Sequence, residues 1–443
     1  MQKTRFLIVG GGVTGLAFAG RLEQRDYLIC EAEAELGGYC RTVVQDGFVW
    51  DYSGHFFHFR DPEIERELVQ RIGPERVRRV QRDARIHYAG KLIDFPFQRN
   101  IDQLPHDEFV QCLSDLFRRP EAAPRNFKEM LYARFGQGIS EKFLVPYNEK
   151  LYATDLGRLD VDAMGRFFPH ARAEEIVREL GARSARAERA ATYNATFTYP
   201  EGGATEYVNA LAHGLDPARL LLQEPVLSID LERKVARTSR RSIEFEYLLS
   251  SVPFPRLLQL CGIPFDPALY SHNQVLVFNL GFDSKGPEGI HWIYYPQRDL
   301  AFYRVGFYDN IFGTPRMSLY VELGYPSGVR IDAEQLHAAR TRVLADLRRA
   351  GVIDRQQLVS EHHVVLDPAY VHITQASLAS VAEHKALLAL RGVFSAGRYG
   401  SWTYCSIEDN IIEARALAAR FNALARHGRA AQPAAALSGR DPK

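Results

Sequence analysis

The order of apolar and polar positions at the start of the chain predicts a strand, a helix and a second strand. RFLIV and YLICE are continuous apolar runs, and the intervening TGLAFAGRLEQR has apolar residues at helical spacing. Continuous apolar strands are buried on both faces, as in a parallel sheet that is covered by helices. We therefore expect the chain to begin with a βαβ unit.

The remaining pattern predicts three further kinds of segment. Residues 98–190 have mostly helical periodicity, strand patterns return between about 195 and 260, and residues 273–325 are strand-rich and aromatic. A helix over 333–350 and two strands follow, and EDNIIEARALAARFNALAR predicts a closing helix. This alternation favours an α/β protein whose first domain is left and re-entered by the chain.

Composition and charge argue against some classes of binding partner. The chain has 443 residues, 46% of them hydrophobic and 25% charged, with a formal net charge of +1. The near-neutral charge argues against a nucleic-acid partner, which requires a concentrated basic face. No apolar run approaches the ~20 residues that span a bilayer, so we expect no membrane partner and a cytoplasmic protein. Residues 428–443, rich in Ala and Gly, are predicted to form a disordered tail.

The cysteines suggest neither a metal site nor a disulfide framework. There are 5 of them, scattered along the chain, and no CxxC pair occurs. We therefore expect no bound metal.

A glycine pattern after the first predicted strand indicates a ligand-binding turn. GGGVTG fits G-x-G-x-x-G between a predicted strand and a predicted helix, where glycine permits a tight turn and the approach of a pyrophosphate. Glu31 ends the next strand, where a carboxylate accepts hydrogen bonds from ribose hydroxyls. The alternative is a glycine-rich turn that binds nothing, but this context favours a dinucleotide site. Its residues are Gly10, Gly12, Val13, Thr14, Gly15 and Glu31.

The residues after Glu31 distinguish between dinucleotides. The pattern E-x5-GG-x2-[RT] resembles the second fingerprint of the glutathione-reductase-like FAD proteins, in the branch that holds amine oxidases, protoporphyrinogen oxidase and UDP-galactopyranose mutase. GVFSAGRYG is similar to the strand by which such chains return to the flavin. The resemblance implies FAD. It adds to the cofactor site Gly37, Gly38, Arg41, Ser53, Gly54, His55, Val226, Gly397, Arg398, Ser406 and Ile407.

Six segments, in order along the chain, resemble UDP-galactopyranose mutases, and the eukaryotic form in particular. They are DYSGHFFHF, LIDFPFQRNIDQLP, PYNEKLYATDLGRL, YNATFTYPEGG, HWIYYP with FYRVGFY, and GRYGSWTY. The resemblance implies a mutase that interconverts the pyranose and furanose forms of UDP-galactose or a related UDP-sugar. In that family the reaction passes through an adduct between reduced flavin N5 and the sugar.

The resemblance also implies partners and catalytic residues. It suggests a UDP-sugar substrate, NAD(P)H as external reductant, a role in cell-wall or polysaccharide biosynthesis and a possible homo-oligomer. Arg304 is expected to clamp the diphosphate with Arg166 as a second arginine, because a diphosphate held without metal needs such donors. His55 is expected against the flavin. A surface salt bridge for Arg166 and a structural role for His55 remain alternatives.

The implied substrate site contains two departures from the family pattern. Tyr152 stands where the family has tryptophan, and Phe95 stands where the fungal-type enzymes have tyrosine, so the sugar and nucleotide stay open. For Tyr370 core packing is an alternative. The full set is Phe95, Gln98, Tyr147, Asn148, Tyr152, Asn194, Tyr294, Tyr370 and Tyr404.

The expected fold is α/β, a Rossmann-like FAD-binding domain with an inserted helical domain and an antiparallel β-sheet substrate domain. The FAD-binding domain is expected in three parts, at 1–97, 193–265 and 366–427. The helical insertion is expected at 98–192 and the substrate domain at 266–365, before the tail at 428–443.

Two other functions stay open. An FAD-dependent oxidase or desaturase of the amine oxidase or protoporphyrinogen oxidase type shares the fingerprints at both ends of the chain. Such an enzyme needs an apolar or amine-accepting pocket, which gives no reason for Arg304, Arg166 and the tyrosines to converge. The other alternative is a non-catalytic flavoprotein that binds a nucleotide sugar or a partner.

Overall fold

The computed structural model describes residues 1–118, 122–180 and 195–426. Asn194, residues 181–192 of the expected helical insertion and the tail at 428–443 lie outside the described residues.

The described strands occur singly or in groups of up to four that are separated by helices. They are β1 (Gln2–Val9), β2 (Tyr27–Cys30), β3 (Thr42–Gln45), β4 (Phe48–Asp51), β5 (Val77–Gln81), β6 (Ala84–Tyr88), β7 (Lys91–Asp94), β8 (Thr196–Pro200), β9 (Leu220–Leu221), β10 (Val226–Asp230), β11 (Val235–Thr238), β12 (Ser242–Ser250), β13 (Asn273–Phe282), β14 (Trp292–Tyr294), β15 (Arg304–Phe307), β16 (Ser318–Pro326), β17 (Leu358–Leu366) and β18 (Val393–Ser395).

The described α-helices range from single turns to a long closing helix. They are α1 (Val13–Ala19), α2 (Pro62–Ile72), α3 (His106–Leu116), α4 (Phe127–Ile139), α5 (Val145–Tyr152), α6 (Ala173–Glu179), α7 (Thr205–Ala212), α8 (Phe254–Leu260), α9 (Asp309–Phe312), α10 (Ala333–Arg349), α11 (Gln375–Leu390), α12 (Gly397–Gly400) and α13 (Ile407–Arg426). None of them is long and apolar enough to cross a bilayer.

The first sheet has the strand order β10-β11-β12-β1-β2-β9, and β18 also pairs with β12. β1 pairs in parallel with both β2 and β12, and its residues Leu7 and Ile8 are completely buried. α1 packs against α13 on this sheet. The βαβ start and the α/β fold class are therefore confirmed. α1 ends earlier than its apolar pattern suggested, at Gly20, whose N–H donates to the Leu16 carbonyl.

The second sheet has the order β17-β13-β16-β15-β14-β6-β7. Its pairs are antiparallel except β14 with β6, and every residue of β13 is buried. Side chains from α10 complete the core on one face. Residues 84–94 supply β6 and β7 to this sheet, whereas the sequence pattern assigned 1–97 to the FAD-binding domain. Local periodicity identifies a strand but carries no information about its sheet.

Helices α3 to α6 share one hydrophobic cluster with residues 97–104 and with side chains of the first sheet, among them Leu7 and Val9. This agrees with the helical pattern of the middle segment. The stretch between 195 and 260, predicted as strands, also contains α7 and α8, and α7 packs against α1 and α2. Both helices are about two turns long, which is too short for their periodicity to stand out in the sequence.

Candidate functional site

A cavity of about 1140 Å³ is lined by residues of both sheets. One part of its wall consists of residues at or just after the C-terminal ends of β1, β2 and β12, and another part comes from β13 to β16. The carboxyl edge of a parallel sheet is the usual ligand position in α/β folds. The volume exceeds the roughly 300–1,000 Å³ of pockets that hold one small ligand, so a cofactor and a substrate fit together.

The glycines of the first turn are needed for different reasons. A Cβ on Gly15 would lie 2.2 Å from the Gly10 carbonyl oxygen, so Gly15 allows the helix to pack on the turn. A Cβ on Gly12 would meet no protein atom closer than 4.0 Å and would point into space beside Gly38. The space at Gly12 is where the family pattern expects a pyrophosphate to approach the backbone.

Glu31 is held by two backbone donors. Its Oε2 accepts from the Gly11 N–H at 2.8 Å and its Oε1 from the Glu33 N–H at 3.0 Å. The carboxylate is buried and still lines the cavity, with lone pairs left for ribose hydroxyls. Arg41 lies behind this wall, where its guanidinium donates to the carbonyls of Leu36, at 3.3 Å, and Glu35.

His55 lies in the loop that follows β4 and lines the cavity with its neighbours Ser53 and Gly54. Its Nδ1 is buried and has no hydrogen-bond partner among the described residues. Burial, with the positive charges of Arg398 and Arg304, outweighs Glu322 and lowers the pKa of His55 to about 4. The ring is therefore neutral and has a free nitrogen for a ligand.

Arg398 is the second residue of α12, the short helix after β18, and lies among aromatic rings. Its guanidinium carbon is 4.7 Å from the ring centre of Tyr404 and 5.2 Å from that of Tyr370. Nη1 donates to the Cys405 carbonyl at 3.3 Å, and the buried Nε has no partner among the described residues. Arg398 thus brings an ordered positive charge with one free donor to the cavity.

Arg304 is paired within the protein. Its Nε and Nη2 each donate to Glu322 at 2.7 Å, and the Glu322 carboxylate, 1% exposed, also accepts from the Ser53 hydroxyl. Burial opposes both charges, but each partner more than compensates for the other, so the pKa of Arg304 is raised and that of Glu322 is lowered. Both stay charged, and the geometry leaves Nη1 of Arg304 as the donor for a ligand.

Tyrosines surround Arg304 and Arg398. The ring centres of Tyr147 and Tyr294 are 5.1 Å apart, and the rings of Tyr370 and Tyr404 stack at 5.9 Å. Burial raises the pKa of Tyr147, Tyr370 and Tyr404, so their hydroxyls stay protonated and can donate hydrogen bonds.

Arg166 lies at the rim of the cavity. It forms an ion pair with Asp409 of α13, and its guanidinium lies 4.5 Å from the ring centre of Phe167. The arrangement fits the structural alternative for Arg166, although the residue also lines the cavity.

Most of the expected site residues line the cavity. At the cofactor end these are Gly10, Gly12, Val13, Thr14, Glu31, Gly37, Gly38, Ser53, Gly54, His55, Val226, Arg398, Ser406 and Ile407. At the other end they are Phe95, Tyr147, Asn148, Arg166, Tyr294, Arg304, Tyr370 and Tyr404.

Five expected site residues do not line the cavity, and the contacts of each explain why. Gln98 is completely buried and donates to the Pro169 carbonyl, and Tyr152 packs behind Tyr370 with ring centres 5.8 Å apart. Gly15 and Arg41 support the cofactor wall from behind, as described above. Gly397 allows close packing, since its Cβ would lie 2.3 Å from the Thr14 hydroxyl.

Sequence reasoning missed three residues that organise this site. Glu322 was visible only as a charged residue within an apolar strand, and its partner Arg304 is on a neighbouring strand. Lys150 donates to the carbonyls of Tyr295, at 3.0 Å, and of Gln297 and Phe302, and thereby fixes the loop between β14 and β15. Arg82 lines the cavity outside every recognised motif.

The residues at the first end fit FAD. The open space at Gly12, the carboxylate of Glu31 and the unpartnered polar atoms of His55 and Arg398 match the groups of a flavin dinucleotide. FAD would be held by the glycine turn and Glu31 at the adenosine end, and by His55 and Arg398 near the ring.

Comparisons with known proteins agree with this fit. A sequence model of the family described as flavin containing amine oxidoreductase matches residues 13–421. Protoporphyrinogen oxidase 2 of Arabidopsis thaliana is 37% identical over 62 residues, 14% of this chain and 12% of that one. Protoporphyrinogen oxidase 1 of Spinacia oleracea is 26% identical over 176 residues, 35% and 30% of the two chains. The match thus spans less than a third of either curated relative.

A crystal structure of reduced UDP-galactopyranose mutase superimposes with a TM-score of 0.84 and 22% identity, covering 99% of this chain and 97% of that chain. At this identity the similarity establishes a shared fold. The resemblance to that family predicted from the sequence is therefore confirmed for the fold.

Proposed function

Because the chain belongs to the family of flavin containing amine oxidoreductases, we propose that it is an FAD-dependent mutase of nucleotide sugars. Its substrate would be a UDP-sugar, UDP-galactose or a related one, converted between pyranose and furanose forms. The reduced flavin would supply the nucleophile for the anomeric carbon. The residues of this chain would bind the substrate and stabilise the departing UDP.

The charge of the cavity wall carries the proposal. Arg304 lies among tyrosines at the end away from the glycine turn, and Arg398 borders Tyr370 and Tyr404 from the cofactor end. The carboxylates among the described lining residues are Glu31, at the cofactor end, and Glu408, which accepts from the backbone N–H groups of Arg60 and Asp61 at 2.7 and 2.8 Å. A diphosphate is stabilised by such a wall, whereas a cationic amine is repelled by it.

Each of these residues would act by holding a charge or a hydrogen-bond donor in place beside the substrate or the flavin. Glu322 orients Arg304 through a bidentate pair, so a free N–H of the guanidinium is directed at the leaving diphosphate. The protonated hydroxyls of Tyr370 and Tyr404 donate to the same group. His55, neutral with an unpartnered Nδ1, would hydrogen-bond the flavin.

The test is turnover by the reduced holoprotein without oxygen. Protein reduced with dithionite or NADPH is incubated with UDP-galactofuranose, and UDP-galactopyranose is measured by chromatography. We expect conversion that needs the reduced cofactor and is lost in Arg304→Ala, although this variant keeps its FAD. Absence of conversion with UDP-galactofuranose and with other UDP-furanoses would contradict the proposal.

A second candidate is an oxidase, which the similarity to protoporphyrinogen oxidases favours. Arginines would also bind the carboxylates of a porphyrinogen. Oxygen consumption with protoporphyrinogen or an amine, in a protein that fails to bind UDP, would establish this candidate in place of the mutase. UDP binding without turnover of any UDP-furanose would favour a non-catalytic flavoprotein.

A further inference from the structure

Arg82 is a cation on the cavity wall that the protein leaves uncompensated. Within residues 1–118, 122–180 and 195–426, its guanidinium has no hydrogen bond and no ion pair. Its guanidinium carbon lies 5.2 Å from the centre of the Phe95 ring. A guanidinium that is partly withdrawn from water without a partner is unfavourable unless a ligand completes it.

The carboxylate of the adjacent residue is already paired with another arginine. Asp83, the next residue, accepts from Arg85 at 2.5 and 2.7 Å, and Arg85 is also paired with Asp94. Burial without a compensating carboxylate lowers the pKa of Arg82 from its ordinary value. Arg304 and Arg166, by contrast, each have a carboxylate partner.

The position of Arg82 is fixed by the backbone. Its N–H donates to the Ala195 carbonyl at 2.9 Å, at the end of the β5–β8 pair, and its side chain lies on Phe95 close to Tyr294. Tyr294 belongs to β14 of the second sheet, and Phe95 directly follows β7 of the same sheet. Arg82 therefore belongs to the end of the cavity opposite the glycine turn.

His58 also lines the cavity, and its ring interacts electrostatically with Arg82. Its Nδ1 lies 2.9 Å from the Thr196 carbonyl, which can only accept, so Nδ1 carries the proton. Burial lowers the pKa of His58 to about 4, and the charge of Arg82 contributes to this shift. The neutral ring leaves Nε2 as an acceptor. A guanidinium donor and an imidazole acceptor on the wall of one cavity suit a phosphate that is linked to a hydroxylated sugar.

We propose that Arg82 is an anion-binding residue of the substrate pocket and binds a phosphate of the nucleotide sugar. The inference rests on the proposed function and adds to it a recognition residue outside the recognised motifs. Arg82 would contribute a complete guanidinium, whereas Glu322 already uses two of the five N–H donors of Arg304.

The test measures binding of UDP and of inorganic pyrophosphate to the holoprotein by titration calorimetry. The variants are Arg82→Met, Arg82→Lys and a control, Arg79→Met, which removes an exposed positive charge of β5 outside the cavity. We expect Arg82→Met to raise the Kd for UDP about 10- to 100-fold, as for loss of a hydrogen bond to a charged group. Arg82→Lys should be intermediate, and Arg79→Met should stay within about 2-fold because exposed charges are screened.

Four outcomes separate the proposals. UDP binding that Arg82→Met leaves unchanged overturns the role of Arg82 and leaves the proposed function standing. Pyrophosphate binding that depends on Arg82, without UDP binding, supports Arg82 and contradicts the mutase. Binding of neither probe by the unmodified protein overturns both. Loss of flavin absorbance in Arg82→Met overturns the substrate role, since Arg82 would then bind a phosphate of the cofactor.

Discussion

Glu322→Gln tests how the protein holds a charge next to the proposed diphosphate site. The substitution keeps the shape of the side chain and removes its charge. One guanidinium N–H still finds the amide oxygen, but the other meets the amide NH₂, so two donors face each other. Arg304 then carries a charge that the protein no longer compensates.

The magnitude follows from the burial of the pair. Removing one partner of a buried ion pair costs about 3–5 kcal/mol. Glu322 is 1% exposed and Arg304 19%, so the arginine keeps some contact with the cavity and we expect the lower end, about 3 kcal/mol. The double variant Arg304→Met with Glu322→Leu should be more stable than Glu322→Gln by about 2 kcal/mol, because no unpaired charge remains.

The assay is urea unfolding of the FAD-loaded protein at neutral pH, followed by fluorescence and by far-ultraviolet circular dichroism. Coincident transitions with an unchanged slope allow a comparison of unfolding free energies. Glu361→Gln is the matched control, since its pair with Arg340 is 45% and 35% exposed and should contribute less than about 1 kcal/mol. A change below about 1 kcal/mol for Glu322→Gln, or an equal change for the control, would refute the reasoning.

Three further predictions concern other parts of the site. Gly12→Ala should give a protein of unchanged Tm without cofactor but with little bound FAD, whereas Gly15→Ala should lower the Tm itself; equal behaviour in flavin absorbance and thermal scans would contradict this. Lys150→Met leaves backbone carbonyls without their donor and should lower the unfolding free energy by about 2–4 kcal/mol in urea, and an unchanged midpoint would exclude this role. His58 has a folded pKa of about 4, below its ordinary 6.5, so the folded state binds fewer protons between these values and stability falls as the pH decreases through this window. His58→Gln should flatten that part of the profile of Tm against pH, and an identical profile would contradict the assignment.

The sequence predicted the parts of the protein that depend on local pattern. Apolar runs identified β1 and β2, and glycine spacing identified the turn at the cofactor end. Both are local because strand burial and turn geometry restrict the residue types at each position.

The parts that were missed depend on pairing between distant residues. Trp292 pairs with Ala84, which assigns β6 to the second sheet, and neither segment encodes its partner. Gln98 lies in a recognised motif, but its side chain turns toward Pro169 rather than the cavity, because a motif specifies residue types and not side-chain directions. The role of Glu322 follows from its ion pair with Arg304 on a neighbouring strand. No single stretch of sequence shows that these two residues are paired.

The pairing of β18 with β12 has a consequence for how the protein is made. Leu248 to Ser250 find their parallel partners only when Val393 to Ser395 have left the ribosome. At about 5–20 residues per second, synthesis of the segment between β12 and β18 takes about 7–30 s. Until then one side of β12 lacks these hydrogen bonds, and Arg398, which follows β18, has not reached the cavity. The nascent chain thus carries an open strand edge on β12 from the synthesis of Ser250 to that of Ser395, and completion of the first sheet and of the cofactor site waits for this later segment.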